Sequence, residues 1–243
     1  MVLVIYGDTV GSLRQKLIST KDREILFGTL LGDGFLYQMK NGKSRLEVGH
    51  TTSQKEYLEW KYHSFTRFTK AKPHLVSFYD KRYRKKYFQW RFKTCADSFF
   101  NPFYSYFYNK EGKKIIRKSI VKIFNSPLSL AVWFMDDGGR RNDSYGMFLN
   151  TLSFSEHEHE TLRECLLKNF SISTRIHSIQ CGKRLYIPSD QAINFAKIVY
   201  PHLIPSMRYK LSYNPVTTSF ARLDRARDRG KTSIKRRYPY SKL

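Results

Sequence analysis

The chain has 243 residues, 41% hydrophobic and 16% aromatic, which suffices to bury one sizeable core or two small ones and excludes a disordered polymer. Its 44 Lys and Arg against 20 Asp and Glu leave a net charge of +24, a self-repulsion that a polyanion would relieve, so nucleic acid is the expected partner. A membrane role is not expected, since there is no run of about 18 apolar residues, and an opening VLVIY shorter than a signal-peptide core together with three cysteines (Cys95, Cys165, Cys181) without metal-ligand spacing points to a reduced, intracellular protein.

After an N-terminal extension, residues 1–19, the sequence Ser19, Thr20, Asp22, Glu24 offers a helix start. EILFGTLLGDGF (24–35) then predicts a mostly apolar helix that stops at Asp33 and a glycine. SRLEVGHTTS follows, and then a helical stretch, QKEYLEWKYHSFTRF, with Leu58, Tyr62, Phe65 and Phe68 on one face. In YFQWRFK, Phe88, Trp90 and Phe92 alternate with Tyr87, Gln89, Arg91 and Lys93, the pattern of a strand with one buried face. EGKKIIRKSI (111–120) is expected to close this unit as a helical stretch with a basic patch.

The second half repeats the order. Ser126 and Pro127 are suited to N-cap and first turn, and SLAVWFMDDGGR (129–140) runs apolar from Leu130 to Met135 before ending at Asp136 and Asp137. Gly138 is expected in the left-handed conformation that ends many helices. GMFLNTLSFS comes next, then EHEHETLRECLLKNF with Leu162, Cys165, Leu166 and Phe170 on one face. In EHEHE, His157 and His159 diverge on a helix, so a solvated first turn is expected there and not a metal cluster. KRLYIP, with Leu185 and Ile187 against Arg184 and Tyr186, and IPSMRYKL (204–211) complete the match. A unit of helix, two strands, helix, two strands, helix is thus used twice, over residues 20–125 and 126–218, and a basic tail, 219–243, has no counterpart.

One Asp-Gly at a helix end is an ordinary cap or turn. Two in matching contexts within so basic a chain call for another explanation. LFGTLLGDG (26–34) and LAVWFMDDG (130–138), with WFMDDGG, PHLIP and YKL, resemble the LAGLIDADG homing endonucleases, in particular the single-chain, two-motif members encoded in organellar group I introns. Phe27 and Gly32 depart from the alanines of the family name. The resemblance implies an α+β fold of two pseudo-twofold related αββαββα repeats. They would pack through the two motif helices, with Gly28 and Ala131 allowing close approach, and their antiparallel sheets would form a DNA-binding saddle.

It further implies that Asp33 and Asp137 are the catalytic, metal-binding acids. Gly32 and Asp136 fall at the same metal site, Asp136 as a supporting acid more than as a ligand. Lys114 and Lys210 would stabilise charge in the transition state, with Lys113 a rival for the first of these roles. Two carboxylates side by side raise each other's pKa, and a hard divalent cation, Mg²⁺ or Mn²⁺, relieves that repulsion while lowering the pKa of its bound water. The implied activity is hydrolysis of both strands of a long asymmetric double-stranded DNA site across the minor groove, by a monomer, leaving short 3′ overhangs. An organellar location, chloroplast or mitochondrion, would follow from such an intron. Two alternatives share the fold: a maturase acting on intron RNA, and an inactive DNA-binding regulator. Retention of both acids and both lysines argues against the second.

Sequence readout is expected on the polar strand faces, where a ribbon in the major groove sets alternate side chains against base edges. Arg45, Glu47, Gln89, Arg91, Asn150, Arg175, His177 and Arg184 are the candidates for bases, and Lys43, Arg82, Arg84, Arg140 and Lys183 for outer bases or phosphates. The polar strand positions of the two halves differ, so a palindromic target is not expected.

Overall fold

A computed structural model describes residues 18–215 apart from 82 and 213. The expected alternation is present twice. Helix α1 (Thr20–Leu31) starts where the Ser19 hydroxyl accepts the Asp22 N–H at 3.0 Å. Strands β1 (Phe35–Gln38) and β2 (Ser44–Thr51), helix α2 (Lys55–Phe65) and strands β3 (His74–Asp80) and β4 (Lys85–Lys93) follow, and then the short helices α3 (Asn101–Phe107) and α4 (Ile120–Ile123). In the second half, α5 (Pro127–Asp137) starts at Ser126, whose hydroxyl accepts the Ser129 N–H at 3.2 Å, with Pro127 in the first turn where its missing N–H does no harm. After it come β5 (Gly138–Arg140), β6 (Met147–Leu149), α6 (Glu156–Phe170), β7 (Arg175–Ile179), β8 (Gly182–Ile187), α7 (Ser189–Val199) and a 3₁₀ turn at Pro205–Lys210.

Each half forms an antiparallel four-stranded sheet, in the orders β1-β2-β4-β3 and β5-β6-β8-β7, so the same topology is built twice. Leu36, Leu46, Val48 and Phe92 line the inner face of the first sheet, and Met147, Leu149, Leu185 and Ile187 that of the second. Between them lie α1 and α5. Leu130 through Met135 are wholly buried, which explains why α5 is apolar all round.

The two motif helices approach closely. A Cβ on Gly28 would sit 2.7 Å from the Val132 Cβ, and the Ser129 hydroxyl donates to the Glu24 carbonyl at 2.8 Å across the contact. Ala131 is fully buried. Phe27 turns away from α5 into rings of its own half, 5.0 Å from Phe107 and 5.7 Å from Phe124.

Three local expectations are corrected. Of residues 111–120 only Ile120 is helical, as the start of α4: Asn109 accepts the N–H groups of Glu111 and Lys113, Gly112 takes φ +72°, and Lys114 bridges to Tyr108. Gly138 is extended at φ −77°, and what requires glycine is the Phe134 ring, which packs where a Cβ would stand. In EHEHE the first turn is closed by a Ser155–Glu158 capping box, but His159 is buried and bonds Thr151 at 2.8 Å. No helix of the described residues is long and apolar enough to cross a membrane.

Candidate active site

The ends of α1 and α5 bring together three acids and three lysines. Asp33 lies two residues past the end of α1, and Asp137 is the last residue of α5. Burial and neighbouring carboxylates act on both. Asp33 is raised to about 6, by desolvation first and then by Asp136, with Lys61, Lys210 and Lys114 pulling it back. Asp137 is raised to about 8 by desolvation, Asp33 and Asp136, opposed by Lys114 and Lys210. Asp33 nevertheless keeps 42% of its side-chain surface open. A cavity of about 260 Å³ beside Asp137 is lined by Gly32, Lys114, Asn150 and Phe154 among others. Acids that ionise reluctantly beside an open cavity suit a hard divalent cation, whose charge would offset the desolvation and mutual repulsion.

The two flanking lysines are placed alike. Lys114 donates to the carbonyls of Gly32 and Gly34, both at 2.8 Å, on either side of Asp33. Lys210 donates to the carbonyls of Met135 and Asp136, the latter at 2.7 Å, in the last turn of α5. Each lysine thus takes up carbonyls at the end of its own motif helix, where the helix dipole also favours a cation. Burial lowers both, Lys114 to about 8, while the three carboxylates pull each back toward the charged form. Lys113, the rival to Lys114, is exposed. The Gly32 carbonyl, expected at the metal site, accepts from Lys114.

Asp136 points into the protein, its side chain 0% exposed. Lys61 donates to both its oxygens, at 2.6 and 2.8 Å, the Tyr57 hydroxyl donates to Oδ1 at 2.8 Å, and the Asp33 N–H donates to Oδ2 at 3.1 Å. A Cβ on Gly32 would lie 2.8 Å from the Asp136 Cγ, so glycine at that position is what admits this carboxylate. Lys61 also stands 3.3 Å from His50 Nε2. An ammonium only donates, so the imidazole proton is assigned to Nδ1, which faces Asp33 Oδ2 at 3.5 Å. Burial and Lys61 hold His50 neutral, its pKa lowered to about 3.

Lys61, Tyr57 and His50 escaped the reading of the sequence. The buried face of α2 is Tyr57, Leu58, Lys61 and Phe65, not the Leu58, Tyr62, Phe65 and Phe68 expected. A lysine at a core position of that stripe was the available signal.

The outer sheet faces carry most of the expected readers. By register, Arg45, Glu47, Gln89 and Arg91 share the face of the first sheet opposite the core, where Arg45 pairs with Glu47 at 2.6 Å. Phe78 and Tyr87 stack on the same face, ring centroids 5.8 Å apart. On the second sheet, Arg175, His177 and Arg184 lie on the outer face. There His177 stacks on Tyr186 at 4.1 Å and Arg184 lies 4.0 Å over the Phe148 ring. Asn150 sits at the cavity, its N–H bonded to the Asp137 carbonyl. Lys43 and Arg84 are exposed in the hairpin turns, Arg84 at φ +49°.

Two readers are corrected. Lys183 lies on the inner face with Leu185 and pairs with Glu156 of α6 at 2.8 Å. Arg140 stands opposite Met147, on the side of β5 that faces the core. Arg82 and the 219–243 tail lie outside the described residues.

Comparison with known proteins bears on the fold and the family. The chain is 29% identical over 204 residues to a protein named probable intron-encoded endonuclease 1 from Wickerhamomyces canadensis, covering 81% of this chain and 86% of that one. It is 29% identical over 196 residues to the cytochrome b mRNA maturase bI2 of Debaryomyces hansenii, covering 77% and 72%. Among solved structures it resembles the homing endonuclease I-WcaI bound to its DNA recognition sequence, with TM-score 0.75, 28% identity, and 87% and 97% of the two chains covered. Residues 23–195 match the model of the LAGLIDADG DNA endonuclease family, and the chain belongs to that family.

Proposed function

We propose that this protein is a site-specific endonuclease that hydrolyses both strands of a long, asymmetric double-stranded DNA site, as a monomer, with Asp33 serving one strand and Asp137 the other. The observation that carries the reading is the duplicated end of the motif helices: two acids of raised pKa, each beside a lysine on its own helix carbonyls.

Asp33 and Asp137 would hold the divalent cations, and their donor chemistry, all hard oxygen, fits Mg²⁺ or Mn²⁺. When bound, such a cation lowers the pKa of a water and neutralises charge on the phosphate and leaving oxygen. Lys114 and Lys210 fix the carbonyl ends of both helices and bring positive charge to where negative charge develops. No histidine of the chain is placed as a general base: His50, the one nearest the acids, is buried and spans Lys61 and Asp33, so the proton leaves to solvent. Asp136, with both oxygens engaged inside the protein, supports the two acids without joining the ligands.

The outer sheet faces lie against the major groove on either side, where Arg reads guanine and Gln reads adenine. A maturase acting on intron RNA is the alternative reading on the same fold, suggested by the maturase relative, and an organellar intron would be the gene's setting. Incubating the purified chain and Mg²⁺ with a randomised plasmid library and sequencing the cut ends tests the proposal. One recurring, non-palindromic site cut on both strands is expected. Nicks without sequence preference, or no cutting, would refute it.

A further inference from the structure

The site holds one arrangement that the duplicated chemistry does not call for. Lys61, from α2 of the first half, is 0% exposed and chelates the equally buried Asp136 of the second half. Through this pair two separate links run to Asp33: the Asp33 N–H donates to Asp136 Oδ2 at 3.1 Å, and His50, 3.3 Å from Lys61, faces the Asp33 carboxylate at 3.5 Å. Tyr57 completes the enclosure, donating to Asp136 Oδ1 at 2.8 Å with its ring 4.5 Å from the Lys61 ammonium. The second half has no counterpart among the described residues. There the buried polar side chains of the matching helix are His159, which spends its ring nitrogens on Thr151 and the Ser155 carbonyl, and Thr161, which donates to the His157 carbonyl. Among the described residues no hydrogen bond reaches the Asp137 carboxylate, on which Lys114 and Lys210 act through space, and the Asn150 N–H donates to its backbone carbonyl.

A buried ion pair is weak evidence for added stability, because a well-packed apolar pair of similar volume often serves as well. It does fix geometry, since each charge must keep its partners in one arrangement. We propose that Lys61 and Asp136, with His50, form a positioning set that orients Asp33, so that cleavage of the strand served by Asp33 depends on this cross-half pair while cleavage of the other strand does not. The inference rests on the proposed nuclease reading. These residues are positioning residues and touch no substrate.

The test uses the full chain on a cognate duplex labelled separately on each strand, in single-turnover reactions at saturating protein. The first variant is Lys61→Met/Asp136→Leu, which removes both buried charges together, and the second is His50→Gln, which keeps both members of the pair and alters the His50 contacts to Lys61 and to the Asp33 carboxylate. Both variants are expected to slow the same strand, the double variant by ~30-fold or more and His50→Gln by a smaller factor, with the other strand slowed less than about fivefold. Mn²⁺ binding to the DNA complex, read by electron paramagnetic resonance, is expected to weaken for one ion and to be retained for another. Equal slowing of the two strands, opposite strand preferences in the two variants, or unchanged rates and Mn²⁺ binding would each overturn the proposal. If the double variant does not fold, the His50→Gln strand ratio and Mn²⁺ spectrum decide alone. A wild-type chain that cuts neither strand would defeat the nuclease reading instead.

Discussion

The two halves of the molecule agree at their helix ends and part company on their sheets. Each motif helix ends at an acid with a lysine on its carbonyls, Lys114 beside Asp33 and Lys210 beside Asp137. The outer sheet faces share a topology and little else. The β3–β4 hairpin has strands of 7 and 9 residues and carries a Phe78–Tyr87 stack beyond Gln89 and Arg91. The β7–β8 hairpin has strands of 5 and 6 and presents Arg175, His177 and Arg184 against aromatic rings. Hydrolysis of a phosphodiester is the same reaction on either strand, so a duplicated centre can stay duplicated. The bases on either side of a target differ, so the faces that would read them have no reason to match.

The comparison breaks most severely if the acids are not equivalent. Asp33→Asn and Asp137→Asn should each lower double-strand cleavage by ~100-fold or more while leaving DNA affinity within a small factor, since each removes a hard ligand and little contact area. Gel-shift titration alongside single-turnover cleavage checks it. The lysines come next. Replacing Lys114 or Lys210 with Met should slow single-turnover cleavage by ~10- to 1000-fold, with a smaller change in affinity. A loss of affinity at unchanged rate would make them backbone contacts only.

The sheets are tested by Arg184→Ala. If Arg184 reads guanine, discrimination at a single base pair of the second half-site should fall by about 1–3 kcal/mol, visible when binding to each substituted site is compared. A uniform loss over all sequences, with a shallower salt dependence, would mark it as a phosphate contact.

The acids also set a pH dependence in the metal-free protein. Asp137 titrates near 8 when folded against 3.8 unfolded, so its neutral form favours the folded state, and that contribution is lost as pH rises through 8. His50 acts oppositely between about 3 and 6.5, and Lys114 between about 8 and 10.5, which leaves 6.5 to 8 as the window in which Asp137 dominates. Chemical unfolding in EDTA should show stability falling over that window by no more than about 1.4 kcal/mol per pH unit. Asp137→Asn should flatten the slope. The smallest effect belongs to Lys183→Ala, expected to change specific affinity less than about threefold because that side chain lies on the inner face with Glu156 and its exposed ion pair contributes little.

Most of the fold could be read from the sequence because both halves carry the same apolar periodicities, and two independent copies of a pattern support each other. The two acids were singled out through matching context, and the two lysines through the family resemblance. What escaped was mostly what depends on one half alone or on contacts distant in sequence. Lys61 falls on the apolar stripe of α2 with Leu58 and Phe65, which marks it as unusual, but the partner that gives it a role lies 75 residues away. The stretch 111–120 has helical apolar spacing, but the Asn109 side chain captures its backbone N–H groups first. Lys183 was legible and was misjudged: it shares strand parity with Leu185 and Ile187, which places it on the core side.

The claim that one chain carries a complete two-strand centre is tested most directly by mixing. Purified Asp33→Asn and Asp137→Asn chains are combined in equal amounts with a cognate duplex and Mg²⁺, and linear product is followed on a gel. If each monomer binds alone with both acids in one chain, each variant cuts only the strand of its remaining acid. In a single binding event, with excess unlabelled duplex trapping any chain that dissociates, the mixture should then give nicked and not linear product, as either variant does by itself. Recovery to a substantial fraction of the wild-type rate would mean that two chains share the site, contradicting the reading of the repeat as a single-chain pair.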